Sequence, residues 1–286
     1  MPKPVEKSAV PLKPPVWTWE IPVYFFAGGT AGAAAVVAAA AELAGADPAI
    51  VRDARSIAAA GALLSPLLLI SDLGRPSRFL NMLRVFKWQS PMSVGAWTLV
   101  AFSTAVFAAI ALSLLPREMP TLALAADVVA AATGAVLATY TGVLIGATVI
   151  PVWARHVSSL PLHFGASALG VAVSLLELAG HRASALNRIG IGTAAVETLL
   201  LVHLEWPRDR IARSLFLGGS GWLVRTGAWL TGPVPLVLRL AAGAAPGLRL
   251  LAAVSMTSGS LVTRFGWIAA GRRSAGDRAA VLEVNP

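Results

Sequence analysis

The 286-residue sequence contains no cysteine and only four histidines. Without thiolates the chain cannot ligate an iron–sulfur cluster through sulfur, and it cannot form a disulfide. A bis-histidine haem needs two imidazoles that face each other within the membrane. His156 and His181 fall in predicted loops, which leaves only His163 and His203 on predicted helices. A di-haem protein is therefore excluded, a single haem is not expected, and the chain should carry no redox centre of its own.

Charged residues are also scarce. They make up 13% of the chain, against 56% hydrophobic residues, and the mean hydropathy is +0.72. These values exclude an ordinary soluble domain, and apolar runs of about 18 residues or more can cross a bilayer as helices. We therefore predict an all-α integral membrane protein with eight transmembrane helices. The predicted spans are Glu20–Leu43, Ala54–Ile70, Pro91–Leu115, Leu122–Val149, Leu162–Ala179, Ile189–Leu204, Ala228–Ala242 and Leu250–Ala270.

The seventh span is the weakest, because Gly232-Pro233 and Pro235 interrupt it. Irregular backbone at membrane depth is tolerated only where protein or water shelters it. Around the membrane domain, 17–271, we predict a flexible N-terminal arm, 1–16, and a C-terminal tail, 272–286. Rows of small residues, Gly28 with Gly32 and the four-residue series from Gly134 to Gly146, predict close helix packing.

Basic residues are unevenly divided between the two membrane faces. With an even number of spans both termini lie on one face, here called side A, and the opposite face is side B. Side A receives most lysines and arginines, in the termini and in the connections 72–90, 151–161 and 206–214. The positive-inside rule then places side A and both termini in the cytoplasm. The net charge of +9 reflects this orientation and a docking surface, and nothing in it calls for nucleic acid.

The most distinctive connection joins the second and third spans. It contains the string DLGRPSRF at 72–79, and SPMSVG follows at 90–95. A connector that only reverses the chain could use any few polar residues, so this combination predicts a loop of fixed shape beside a ligand or a partner. Asp72 either pairs with Arg75 or Arg78 and shapes the loop, or acts at the mouth of a pocket as a proton acceptor or carbonyl partner.

Four segments resemble the NrfD-like membrane subunits, the family of the polysulfide reductase membrane anchor. They are WTWEIPVYFFAGG at 17–29, DLGRPSRF at 72–79, SPMSVGAW at 90–97, and YTGVL at 140–144 followed by PVW at 151–153. The resemblance implies two four-helix bundles and a menaquinone or ubiquinone site in a bacterial or archaeal cytoplasmic membrane. It also implies a ferredoxin-like partner with four iron–sulfur clusters, linked to a molybdenum or tungsten catalytic subunit such as formate dehydrogenase or a polysulfide-reductase-like enzyme.

The resemblance assigns two site residues. The family pocket uses a polar residue near the start of the first helix and a tyrosine in the fourth, and these roles fall to Glu20 and Tyr140. The better-known members have asparagine and histidine in the first helix, and this sequence has neither type there.

The residues themselves leave each candidate with two interpretations. A quinone site needs an apolar cleft with hydrogen-bond donors near the carbonyl oxygens. Tyr140 is either such a donor or a tyrosine at the membrane boundary. His163 either delivers protons or bonds to a nearby carbonyl or water. Glu20 either caps the first helix or contacts the ligand, and Gln89 is a further donor. The predicted partner-docking surface consists of Arg75, Arg78, Arg84 and Lys87.

Ionisable side chains within spans are costly and therefore suggest function. The candidate proton path runs from Asp127 or Glu177 through Glu197 to His203. The alternative interpretation is that these groups form ion pairs that fix helix register, with arginines 225, 239 and 264 as partners.

Two other functions stay open. A secondary transporter is compatible with buried carboxylates and with the interrupted seventh span, although no matching interruption occurs in the first half. A passive membrane anchor without quinone chemistry would lack a cleft that opens to lipid.

Overall fold

The structure is a computed structural model that describes residues 12–115, 119–205, 215–216, 218–242 and 247–277. Within these ranges the chain forms helices and turns, with no β-strand. The helices are α1 (Glu20–Leu43), α2 (Pro48–Leu73), α3 (Pro76–Met82), α4 (Pro91–Leu114), α5 (Pro120–Gly146), α6 (Pro151–Arg155), α7 (Ser159–Leu178), α8 (Ser184–Glu205), α9 (Gly218–Thr231), α10 (Pro233–Ala241) and α11 (Gly247–Gly276).

Six of the described helices are long and apolar enough to cross a membrane: α1, α2, α4, α5, α7 and α8. The prediction of a multi-pass, all-α membrane protein is therefore confirmed, and the count of eight spans stays a prediction. Helix α11 has ample length, but several arginines and many small polar residues lower its hydropathy. Helices α9 and α10 are each too short to count alone.

The predicted seventh span, Ala228–Ala242, is not one helix. Helix α9 ends at Thr231 and α10 begins at Pro233, because proline has no amide hydrogen and its ring clashes with the preceding turn. Gly232 lies between them. A Cβ atom at Gly232 would lie 2.9 Å from the amide nitrogen of Thr198 and 3.1 Å from the carbonyl carbon of Glu197. The backbone of α8 therefore shelters the break, as irregular backbone in a membrane requires.

Local sequence signals determine the shape of the connection from α2 to α4. Gly74 ends α2 in the left-handed region at φ 68°, where glycine is not strained. Pro76 then occupies the first turn of α3. Ser90 caps α4, and its hydroxyl oxygen accepts a hydrogen bond from the amide of Ser93 at 3.4 Å. The result is a compact loop with a short helix at the side A end of the first helices.

Helix α1 lies at the centre of the fold and packs against α2, α5, α7 and α11. Its closest approach is to α5, where Gly32 and Gly134 face each other. A Cβ atom at either glycine would overlap the backbone of the other. The close packing predicted from the rows of small residues is confirmed here. Because the two helices are close, Tyr24 on α1 and Tyr140 on α5 can contact each other nearer side A.

The predicted domain boundaries stay a prediction. Helix α11 continues to Gly276, five residues past the predicted boundary at 271. Residues 1–11 of the predicted arm and 278–286 of the predicted tail lie outside the described residues.

Candidate functional site

A cavity of about 110 Å³ lies at the side A ends of α1, α2, α4 and α5, beside α3. Aromatic and aliphatic side chains form most of its wall. The polar groups on the wall are the carboxylate of Asp72, the indole of Trp17 and the phenols of Tyr24 and Tyr140. An apolar pocket with a few polar groups is the usual form of a small-molecule site.

The two phenols of the cavity contact each other. The hydroxyls of Tyr24, on α1, and Tyr140, on α5, are hydrogen-bonded, and the two side chains are only 1% and 8% exposed. Gly95 on α4 makes room for this arrangement, because a Cβ atom there would overlap the ring of Tyr140. The glycine of the segment SPMSVG thus positions a tyrosine 45 residues later in the chain.

Tyr24 is the site residue that the sequence analysis missed. It follows Glu20 by four residues, about one helical turn, so the two share a face of α1. That periodicity, together with the presence of only two tyrosines in the chain, is the signal that could have found it.

Asp72 lines the cavity, whereas Glu20 does not. The amide and the hydroxyl of Thr18 lie 3.4 and 3.2 Å from Oδ1 of Asp72. Glu20 contacts the hydroxyl of Thr18 and lies 3.5 Å from that of Ser71. Both carboxylates therefore bind the segment that precedes α1, and only Asp72 also reaches the cavity wall.

Trp17 covers the cavity on side A. Its ring stacks on Trp153, with centroids 5.6 Å apart and planes inclined by 16°. Trp153 is fully buried, and its Nε1 donates a hydrogen bond to the carbonyl of Trp267 at 2.8 Å. The rings of Trp17 and Phe25 meet edge to face, at a centroid distance of 6.2 Å. The segment before α1 is thus packed against α6 and against α1 itself.

The remaining predicted contacts at the α2–α4 connection are exposed. Gln89 is exposed and does not line the cavity. Arg78 donates to the carbonyl of Leu73 at 3.0 Å, which supports the end of α2. The side chains of Arg75, Arg84 and Lys87 are also exposed on this face.

His163 lies apart from the cavity in a second buried cluster. Its Nδ1 is 2.8 Å from Oε2 of Glu197, and the hydroxyl of Thr231 donates to the same oxygen at 3.1 Å. Both members of the pair are buried. Arg264 lies nearby and interacts electrostatically with Glu197.

Aromatic side chains separate this cluster from the tyrosine pair. Arg264 donates to the carbonyl of Phe164 at 3.1 Å, and its guanidinium lies 3.8 Å from the centroid of that ring. Phe25, which lines the cavity, packs against Phe164 with centroids 6.1 Å apart. The two sites are therefore neighbours with an apolar wall between them.

The structure does not bring the four residues of the predicted proton path together. His203 is exposed, because six residues turn the helix by roughly 600° and place it on a different face from Glu197. Asp127 pairs with Arg55 near side B, with one contact at 3.0 Å. The structure therefore does not place His203 beside Glu197, and the histidine that contacts Glu197 is His163.

Glu177 belongs to a third cluster, also near side B. Its carboxylate lies 2.8 Å from Arg239 and 2.7 Å from Arg249. Arg239 is fully buried and fits against Gly190, where a Cβ atom would overlap the guanidinium. This cluster connects α10 and α11 to α7. Its geometry agrees with the alternative interpretation of the carboxylates within spans, namely that they form ion pairs that fix helix register.

The fold and the cavity define a multi-pass helical membrane protein with an aromatic, tyrosine-containing site near one membrane face. The sequence profile of the family described as "Polysulphide reductase, NrfD" matches residues 10–272, which is most of the chain. The chain belongs to the NrfD family, and the resemblance drawn from its four segments is confirmed. A comparison with curated protein sequences gave no match.

Proposed function

We propose that this chain is the quinone-interacting membrane subunit of an oxidoreductase complex. The observation that carries the proposal is the hydrogen-bonded pair of Tyr24 and Tyr140 on the wall of an apolar cavity. Two phenols hold two hydrogens, and their mutual bond uses one of them. The second O–H remains available to donate to a ligand oxygen. Family membership supports the same function.

The size and lining of the cavity suit one ring of menaquinone or ubiquinone. Its volume of about 110 Å³ is below the roughly 300 Å³ at which pockets for whole drug-sized ligands begin. A ring would therefore fit with its isoprenoid tail outside, along apolar surface. When bound, the quinone supplies two-electron, two-proton redox chemistry. Asp72 is on the wall and partly exposed, so its carboxylate can pass protons between a bound quinone and side A.

Electrons must reach this site from a partner, because the chain has no cysteine with which to hold a cluster. We propose an iron–sulfur subunit that docks on side A, linked to a molybdenum or tungsten catalytic subunit such as formate dehydrogenase or a polysulfide-reductase-like enzyme. The exposed side chains of Arg75, Arg84 and Lys87 lie on the same face as the cavity. A basic surface of this kind favours an acidic partner and speeds its association.

The topology proposed with this function has eight crossings in two four-helix bundles, with side A in the cytoplasm. The seventh crossing would consist of α9 and α10 together. Gly218, at the start of α9, lies against Arg273 near the side A end of α11. Arg239, near the end of α10, pairs with Glu177 near side B. These two contacts support a passage of the broken helix from one face to the other.

Proton movement, in this proposal, involves the buried pair of His163 and Glu197. An imidazole can take up and release a proton near neutral pH, and here one of its nitrogens is held by a carboxylate. Asp127 and Glu177 are each engaged by arginine, and their role in the proposal is structural.

The test is affinity purification of the full chain from its native membrane. We expect a subunit with cysteine-rich cluster motifs to purify with it, and the complex to exchange electrons with a water-soluble quinone analogue. A chain that purifies alone and binds no quinone analogue would contradict the proposal.

One observation favours a second function, secondary transport. The break at Gly232 packs against α8 beside the buried carboxylate of Glu197, as in transporters whose binding sites lie at discontinuous helices. Ion-linked uptake of a solute by proteoliposomes that contain this chain alone would support it. Quinone turnover that requires a partner subunit would decide against it. A passive anchor, the third function, predicts neither activity.

A further inference from the structure

We propose that the tyrosine cavity is open to the lipid past Met82 and Met92, and that Trp17, held by Thr18 and Asp72, closes it toward water. Met82 and Met92 then control access of the ring. Asp72 acts as a positioning residue through Thr18 and Trp17. The inference rests on the quinone site proposed above and adds the route by which a ligand reaches it.

The closure toward side A is built from fixed groups. Oδ1 of Asp72 lies within 3.4 Å of both the amide and the hydroxyl of Thr18, and Glu20 contacts the same hydroxyl, so two carboxylates hold the residue next to Trp17. The ring of Trp17 stacks on Trp153 and meets Phe25 edge to face. Aromatic pairs at these distances add to the stability of a contact beyond the area they bury. A ligand arriving from water would have to displace all of these contacts.

Two flexible side chains on the cavity wall reach the protein surface. Met92, at the start of α4, lines the cavity and is 49% exposed, and Met82, at the end of α3, lines it and is partly exposed. Methionine is unbranched and adaptable, so it can move aside at little cost. The wall that contains these residues is therefore the one that a ring can pass.

The surface next to this wall has the composition of a membrane interface. Leu80, Val85, Phe86 and Trp88 are all exposed in and after α3. Exposed apolar and aromatic side chains of this kind are typical of segments that lie in the headgroup region. The methionine wall therefore faces lipid.

This arrangement suits a ligand with a polar ring and a long apolar tail. The ring can pass between Met82 and Met92 to the hydroxyls of Tyr24 and Tyr140 while the tail stays in the bilayer. Passage through side A would instead require the apolar tail to cross water, which is unfavourable because every exposed CH₂ group adds to the cost.

Cysteine labelling of the purified complex in proteoliposomes tests the route without measuring turnover. Because the chain has no cysteine, Met92→Cys introduces a single thiol, and mass spectrometry of this chain separates its label from any on partner subunits. We expect Met92→Cys to react with a lipid-soluble maleimide and to be protected by an inhibitor of the hydroxyquinoline N-oxide class. Met119→Cys is the matched control, since Met119 is 50% exposed at the other end of the bundle. It should react equally with and without the inhibitor.

The closure is tested by Ala96→Cys, which places a thiol on the cavity wall, alone and together with Trp17→Ala. The single variant should react slowly with a membrane-impermeant maleimide, and the added alanine, which removes the closing ring, should raise that rate. Thr18→Val in place of Trp17→Ala removes the hydroxyl but keeps the amide that donates to Asp72, so it should raise the rate less. Fast labelling of Ala96→Cys alone, or no effect of Trp17→Ala, would overturn the closure.

Turnover supplies a second measurement. Met92→Trp should raise KM for a long-tailed quinone by about tenfold, with little change in artificial-dye activity, whereas Met119→Trp should leave both unchanged. If the unaltered complex turns over quinone, an unchanged KM in Met92→Trp would overturn the proposed route, and so would labelling of Met92→Cys that the inhibitor does not reduce. If the proposed function itself is wrong, the unaltered complex would neither turn over quinone nor bind the inhibitor.

Discussion

The hydroxyl of Tyr24 is hydrogen-bonded to the hydroxyl of Tyr140, across 116 residues of sequence. The pair joins α1 to α5 at the level of the cavity. Apart from the two tyrosines, Asp72 and Trp17, the residues that line the cavity are apolar. A buried phenol that lost its partner would keep an unsatisfied hydroxyl, so each tyrosine determines the hydrogen bonding of the other.

The first prediction concerns this pair. Tyr24→Phe and Tyr140→Phe should each lower quinone turnover by about tenfold to a hundredfold, because either change alters the O–H available to the ligand. The double variant should lose less than the product of the two single effects, since the residues act as one unit. Turnover with quinone and with an artificial dye, measured on the purified complex, checks this.

Dye activity is the internal control, because it bypasses the cavity and should persist in all three variants. Trp229→Phe, an exposed aromatic on α9, should behave like the unaltered chain in both assays. Unchanged quinone turnover in Tyr140→Phe would remove the tyrosine pair from the site.

The second prediction concerns Gly95. Gly95→Ala places a methyl group where the ring of Tyr140 lies, so it should displace that ring, lower quinone turnover and destabilise the protein by about 1–3 kcal/mol. Gly192→Ala on α8 is the matched control, because a Cβ atom there meets no described atom within 4 Å. Thermal unfolding of the purified complex, together with quinone turnover, compares the two. Equal effects of the two substitutions would show that Gly95 is not needed to position Tyr140.

The third prediction concerns the buried pair of His163 and Glu197. Glu197→Ala leaves the buried imidazole of His163 without its partner and removes the carboxylate charge near Arg264, so it should cost about 3–5 kcal/mol of stability. Glu197→Gln keeps one acceptor oxygen and should cost less. Glu205→Gln is the control, because its contact with Arg225 at 3.6 Å is exposed and worth at most about 1 kcal/mol. Thermal unfolding ranks the three, and equal melting temperatures would count against an ionic pair.

The fourth prediction concerns docking on side A. The double reversal of Arg84 and Lys87 to glutamate should weaken retention of the partner subunit, most clearly at low salt, because at 0.15 M the Debye length falls to about 8 Å and surface charges are screened. Arg52→Glu, on the opposite face and with a 73% exposed side chain, is the control and should leave retention unchanged. The measured quantity is the amount of partner that purifies with the tagged chain. Equal retention in both variants would move the docking surface elsewhere.

Much of the architecture could be predicted because its causes are local. Apolar runs determine which segments cross a bilayer, and the six helices among the described residues that meet the length and hydropathy of a span all fall where the sequence predicts one. Gly74, Pro76 and Ser90 act on the residues beside them, so the shape of the α2–α4 connection follows from its motif. The first four spans and the family resemblance rest on such local signals.

The composition of the site could be predicted only in part. Tyr140 and Asp72 were named from the sequence, and the structure places both on the cavity wall. The family resemblance assigns the contact on the first helix to Glu20 and not to Tyr24, because the family uses a polar residue near the start of that helix. His203 was named as the neighbour of Glu197 because the two lie on one helix, although their faces differ.

By itself, then, the sequence determined a cysteine-free helical membrane protein of the NrfD family, with a polar, turn-rich connection at one end. Only the tertiary structure decided that Tyr24 meets Tyr140, that Thr18 meets Asp72, and that Glu197 meets His163. The physical reason is that helical periodicity specifies which face a side chain occupies, whereas the facing helix is selected by backbone packing such as that of Gly32 on Gly134.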